Sequence, residues 1–270
     1  MTRMNIRSHK VDIPTDSLAD TPSGQVTLQG TLDLPTAGNQ NIPYAIIAHC
    51  FTCNRNSLGA SRLSKQLARL GVGSLRVDFC GLGQSGGSFS DSTLSTNVRD
   101  LECMAEWLAE HYSAPSLLVG HSLGGVAAIR AGSLIDSVKA VATVGAPFNP
   151  THAADSVRAV VRQFSSDANL VEVTLPHRPL SLGRSFFTDL IASDPGADIA
   201  RLGELDKALI IAHAPLDQTV GFEHARKIFA AAYQPASLLS LSNVDHLLTW
   251  PGSGQRVAEL IWAQARQYVL

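Results

Sequence analysis

The sequence predicts an α/β protein built on a mostly parallel sheet, and three observations carry that expectation. Short apolar runs alternate with helical stretches along most of the chain. Several of those runs are apolar throughout, as strands covered on both faces must be. Hydrophobic residues make up 45% of the 270 residues and charged residues 16%, which suits a large buried core and not a disordered chain.

The elements follow in order. The first forty residues read as β: Val26, Leu28, Gly30, Leu32 and Leu34 alternate with polar neighbours, the two-residue period of a half-buried strand. A polar loop from Pro35 to Pro43 leads to the apolar run Tyr44 to Ala48, a strand buried on both faces. A helix through Leu63, Leu67 and Leu70 is followed by a strand, Ser74 to Val77. Leu94, Val98, Leu101, Ala105 and Leu108 then recur at spacings of four and three, the helical period. Leu117 to Val119 is a strand, Leu123 to Leu134 a helix and Val138 to Val144 a strand. Near the end come a strand Leu209 to Ile211, a helix Phe222 to Tyr233, a strand Leu238 to Leu241 and a helix Val257 to Tyr268. Such alternation implies helices on both faces of the sheet. The stretch from about 147 to 204 breaks the rhythm. It holds a helix-like piece, Ala153 to Phe164, a strand Leu170 to Leu175, a turn Pro176 to Pro179 and a return strand Leu180 to Leu182. An insertion over the carboxyl edge of the sheet is placed to cap a substrate, and Phe164, Phe186 and Phe187 give it apolar character.

Charge and cysteine content narrow the partners. Twenty-one Lys and Arg against 23 Asp and Glu leave a net charge of −2, no reason to expect nucleic acid or an anionic surface. No apolar run reaches membrane-span length, and the first ten residues lack a signal-like apolar stretch. Four cysteines do not make a disulfide scaffold. The expectation is a reduced, cytoplasmic protein without a membrane span.

The strongest chemical signal is Gly120-His121-Ser122-Leu123-Gly124 between a strand and a helix. In that context G-x-S-x-G sets a serine on a sharp turn with its hydroxyl projecting from the sheet edge. A serine hydroxyl needs a base. His246 follows the last strand, and Asp217 follows the strand Leu209 to Ile211, so nucleophile, acid and base come in that order along the chain. Asp245 is a rival acid, disfavoured because adjacent side chains seldom aim at each other. An oxyanion hole would take the backbone N–H of Leu123 and one from the loop His49 to Asn54; Phe51 is the choice there and Cys50 the next.

These residues resemble an α/β-hydrolase over nearly the whole length. The glycine-rich turn Asp78 to Ser85 matches that superfamily. Ala48 to Cys53, Gly81 to Ser85, Gly120 to Gly125 and Asp245 to Leu248 resemble a bacterial group often fused to an OsmC-like domain, for which this chain leaves no room. The superfamily's usual glycine after the oxyanion-loop histidine is Cys50 here. The resemblance implies one domain over residues 1–270 with an eight-stranded, mostly parallel sheet and a small cap.

Two motifs compete. Gly81-x-Gly83-x-x-Gly86 satisfies a dinucleotide pattern, but no helix starts at its third glycine. Cys50-x-x-Cys53 is compatible with a redox pair, a metal site or an oxidisable gate; the simplest reading is two small side chains in a tight loop. Cys103 reads as core. His49 and His121 read as residues that shape their loops, His213 takes no role, and Trp250 and Phe51 are candidate walls of an acyl pocket.

The expected activity is serine hydrolysis of a small-molecule carboxylic ester or thioester, with no metal or cofactor. The alternatives are amide or carbon–carbon hydrolysis or acyl transfer on the same triad, and a non-catalytic ligand-binding protein on the same scaffold.

Overall fold

The computed structural model describes residues 5–36, 41–150, 170–175 and 178–270. The expected helix Ala153 to Phe164 and the turn residue Pro176 lie outside them. The strands are β1 (Ile6–Thr15), β2 (Val26–Pro35), β3 (Tyr44–Ala48), β4 (Gly73–Val77), β5 (Leu117–His121), β6 (Ala140–Val144), β7 (Leu170–Leu175), β8 (Arg178–Gly183), β9 (Ala208–His213) and β10 (Ala236–Ser240). The helices are α1 (Leu58–Arg69), α2 (Leu94–His111), α3 (Leu123–Leu134), α4 (Arg184–Ala192), α5 (Pro195–Glu204), α6 (Phe222–Ala231) and α7 (Ser253–Val269).

Eight strands form one sheet in the order β1-β2-β4-β3-β5-β6-β9-β10. Strand β2 runs antiparallel to both of its neighbours, and from β4 to β10 every pairing is parallel. All five residues of β3 and of β5 are buried, as the continuous apolar runs required. Alternate residues serve opposite faces. Ile46, Leu118, Val141 and Leu209 pack with α2, α3 and α5; Ile47, Val119, Ala142 and Ile210 pack with α1 and α7. Each fully buried Leu or Ile contributes roughly 1.5–3 kcal/mol relative to exposure.

Caps fix where the helices begin. Thr93 and Thr96 close a reciprocal box at the start of α2, each hydroxyl accepting the other's backbone N–H at 3.1 and 2.7 Å. Asp194 accepts from the Ala197 N–H at 3.0 Å, and Pro195 opens α5.

The insertion between β6 and β9 differs in detail from the sequence expectation. Strands β7 and β8 pair as an antiparallel hairpin, but Arg178 and Pro179 already belong to the return strand. Helices α4 and α5 fill the stretch that the sequence reading left without elements. Phe186 and Phe187 are buried within α4, and Phe164 lies outside the described residues. Among the described residues, no helix is long and apolar enough to cross a membrane.

Candidate active site

The carboxyl ends of the central strands are stitched together by backbone bonds. The Ser122 N–H donates to Val144, the Gly145 N–H to Ala212 and the Leu241 N–H to His213, at 2.9, 3.0 and 2.8 Å. The loops carrying Ser122, Asp217 and His246 therefore leave one row of strand ends.

Ser122 joins β5 to α3 with φ at +53°, a left-handed value uncommon for a residue with a side chain. Two glycines make that turn possible. A Cβ on Gly120 would lie 2.3 Å from the Gly124 carbonyl oxygen. One on Gly124 would lie 2.3 Å from that of His49, so α3 passes directly beneath the end of β3. The Leu123 N–H, at the open N-terminus of α3, and the loop after His49 are brought together by this approach.

The His246 ring donates from Nδ1 to Asp217 Oδ2 at 2.7 Å. The other Asp217 oxygen accepts the backbone N–H groups of Thr219 and Val220 at 2.8 and 2.9 Å. Burial pushes the Asp217 carboxyl up, but the His246 hydrogen bond, those two amides and the imidazole's charge together hold it below the ordinary carboxylate range. Gly145 leaves room for the pair; a Cβ there would stand 3.2 Å from the His246 ring. Among the described residues, no hydrogen bond joins the Ser122 hydroxyl to His246, a contact that often tightens only with substrate bound. Asp245 faces away from this work. Its carboxylate accepts from the Thr249 N–H and hydroxyl and from the Trp250 N–H.

Three further histidines support the site. His121 donates from Nε2 to the His246 carbonyl at 2.7 Å, and burial, then the charge of His246, push its pKa down to about 4. His213 donates from Nε2 to the Val220 carbonyl at 2.8 Å, and burial pushes its pKa down as well. His49 donates to the Cys50 carbonyl and accepts from the Phe79 N–H, tying the β3 loop to the β4 loop. The sequence reading gave His213 no part; its signal was its place at the end of the strand that precedes the acid.

A buried ion pair, invisible to motif reading, braces the same region. Asp78 takes the guanidinium of Arg55, the Arg55 N–H at 2.6 Å and the Gln84 N–H at 2.9 Å. A Cβ on Gly83 would collide with that carboxylate, so the glycine-rich turn wraps a side chain of the protein itself. After that turn a short 3-10 helix, Phe89–Asp91, comes first, and the first α-helix is α2, beginning at Leu94.

One expectation is corrected. Cys50 and Cys53 form a disulfide, not two separate small side chains. Their Cα atoms are 5.3 Å apart, within bonding range, because the loop turns tightly with the Cys53 N–H on the Cys50 carbonyl. Cys80 and Cys103 are free and buried. Phe51 packs at a tilt against Phe89 and Phe186, with ring centroids 5.6 and 5.3 Å apart, and these aromatics line a recess beside Leu123. Trp250 is exposed and borders an open apolar recess that His246 also lines. Among the described residues, no group of three or more His, Cys, Asp or Glu is arranged to hold a metal ion.

A positive-φ serine between strand and helix, on an eight-stranded mostly parallel sheet, defines an α/β-hydrolase. The family model described as serine aminopeptidase, S33, matches residues 43–184, and the chain belongs to that family. The esterase domain of a Rhodothermus marinus protein is 32% identical over 98% of this chain and 100% of its own, with a TM-score of 0.75. Est1E from Butyrivibrio proteoclasticus, with ferulic acid bound, is 20% identical over 90% of this chain and 96% of its own, at 0.75. Dienelactone hydrolase from Anabaena variabilis is 15% identical over 98% and 99%, at 0.65. The last two share the fold alone. No curated protein matches the chain.

Proposed function

We propose that this chain is a serine hydrolase that cleaves a small-molecule carboxylic ester or thioester through an acyl-enzyme. The observation that carries the reading is the His246–Asp217 pair at 2.7 Å, on the strand-end row that bears Ser122. Ser122 attacks the carbonyl carbon as His246 Nε2 takes its proton. Asp217 holds the imidazole's orientation and stabilises its cation. The N–H groups of Leu123 and Phe51 receive the oxyanion. His246 then protonates the leaving alcohol or thiol, and water, activated by the same imidazole, releases the acid. No step draws on a metal or cofactor.

The family's description raises amide hydrolysis of a free amino terminus as the second reading. Two features favour the ester. The similar esterase domain from Rhodothermus marinus is 32% identical over almost the whole chain. The described lining of the recess beside the oxyanion loop, Phe51, Phe89, Asn97 and Phe186 among it, includes no carboxylate to hold an ammonium group.

The test is hydrolysis of p-nitrophenyl esters of graded acyl length beside aminoacyl p-nitroanilides, with Ser122→Ala in parallel. Ester turnover that disappears in Ser122→Ala supports the proposal. Anilide turnover without ester turnover moves the enzyme to the second reading. A folded protein inert to every substrate and to a fluorophosphonate probe ends the triad assignment and leaves a ligand-binding role.

A further inference from the structure

The disulfide between Cys50 and Cys53 closes a covalent ring, and the backbone nitrogen of Phe51 is one of the ring's atoms. That N–H is the second donor of the proposed oxyanion hole. We propose that this disulfide is a thiol-exchange site for a dithiol reductant, and that opening it switches the oxyanion loop from a competent to a weakened form. The inference rests on the serine-hydrolase reading above.

Four observations support it. First, the ring holds an unfavourable backbone. Thr52 has φ at +62°, a left-handed conformation that a β-branched residue rarely adopts. A closed ring and the Cys53 N–H to Cys50 carbonyl bond of 3.1 Å over-determine that conformation. Second, the two cysteines differ in exposure. Cys50 is 4% exposed, while Cys53 is only half-buried and offers the point of attack. Third, the loop's apolar anchor touches the insertion. Phe51 packs on Phe186 of α4, so a turn of the Phe51 peptide also moves a wall of the site. Fourth, exchange is confined to this pair. Cys80 and Cys103 are buried, and burial together with the Asp100 charge pushes the Cys80 thiol well up, away from its reactive form.

The exchange balances without another reactant. A thiolate of the reductant attacks Cys53 Sγ, the sulfur–sulfur bond breaks, and Cys50 leaves as a thiolate that takes up a proton. The reductant's second thiolate attacks its own sulfur in the mixed disulfide. Cys53 leaves, takes the second proton, and the reductant departs as its disulfide with two electrons transferred to the protein. Once open, Thr52 is free to return to ordinary β or helical backbone, and the Cys50–Phe51 peptide turns away from the oxyanion. Loss of one such donor lowers kcat by about 10²–10³, and a donor that samples several directions costs less, so a fall of roughly tenfold or more is expected.

The experiment uses the full chain in its oxidised form. It is treated with dithiothreitol under native conditions, and alkylation is mapped by mass spectrometry. kcat and KM for a p-nitrophenyl ester are measured beside the rate of fluorophosphonate labelling, with circular dichroism as the check on folding. The expected result is alkylation at Cys50 and Cys53 only, a kcat down by roughly tenfold or more with KM little changed, and recovery with oxidised glutathione. Cys53→Ser should sit at the low kcat and ignore the reductant. Equal kcat and labelling in the two states, or no alkylation of the native protein, overturns the switch while leaving the hydrolase reading intact. Labelling absent in both states removes the hydrolase reading and the switch with it.

Discussion

Gly124→Ala adds a single carbon where α3 passes under the end of β3. That carbon would stand 2.3 Å from the His49 carbonyl oxygen and 2.7 Å from that of Ala48. A comfortable carbon–oxygen contact is about 3.3 Å or more, so the two segments must part by roughly 1 Å. Both obstacles are backbone, and neither yields easily. Ala48 is paired with Gly120 across the sheet, and the Gly125 N–H is bonded to the Ser122 carbonyl at 2.8 Å. Helix propensity alone favours alanine by about 1 kcal/mol, so any loss must come from the collision. The separation falls on the two N–H groups that the mechanism assigns to the oxyanion. A misplacement of about 1 Å costs on the order of 10²-fold in rate, similar to losing one donor outright. Steady-state hydrolysis of the best p-nitrophenyl ester should therefore show kcat down about a hundredfold with KM nearly unchanged, in a protein of parental circular dichroism. A folded Gly124→Ala enzyme that keeps its kcat would refute the claim that this close approach sets the hole.

Two other outcomes follow from buried groups. Asp78→Ala strips the partner from the buried Arg55 guanidinium and from two N–H groups, and urea unfolding should report a loss of about 3–5 kcal/mol; a loss under about 1 kcal/mol would show that the loop relaxes around the charge. His121 has a folded pKa of about 4 against an ordinary 6.5, so between those values the unfolded chain binds more protons and stability falls as pH drops. The loss should amount to roughly 3 kcal/mol by pH 4 and then level off, with the lowered His49 and His213 acting in the same direction. Asp217, held below 3.8, adds a further loss as pH falls beneath that value. Melting curves of His121→Gln from pH 7 to 4 should be visibly flatter than those of the parent.

What could be read from the sequence was what local pattern controls. Strand β3 and helix α3 fall at the expected residues because an all-apolar run and a G-x-S-x-G turn admit few alternatives. Strand β1 carries no such pattern. Only Ile13 and Thr15 within it are buried, and it is a strand because all ten of its residues pair with β2. Helix α5 was marked after all by Asp194-Pro195, an N-cap followed by proline, but the apolar period behind it is short. At the site, the order Ser122, Asp217, His246 was legible because each residue follows its own strand. The Arg55–Asp78 pair was not, since its partners are 23 residues apart and meet only once β3 and β4 lie side by side. The disulfide escaped for a related reason. A C-x-x-C spacing permits bonding, but the distance between the two cysteines depends on how tightly the loop after His49 turns.

The candidate nucleophile and the residue that fastens the candidate base's loop are consecutive. Ser122 projects from the turn, while His121 holds the His246 carbonyl at 2.7 Å. A thermal excursion of the β5 end therefore carries the imidazole's loop along with the hydroxyl, as a common-mode motion that leaves their separation unchanged. Differential motion of the two backbones works against that hydrogen bond.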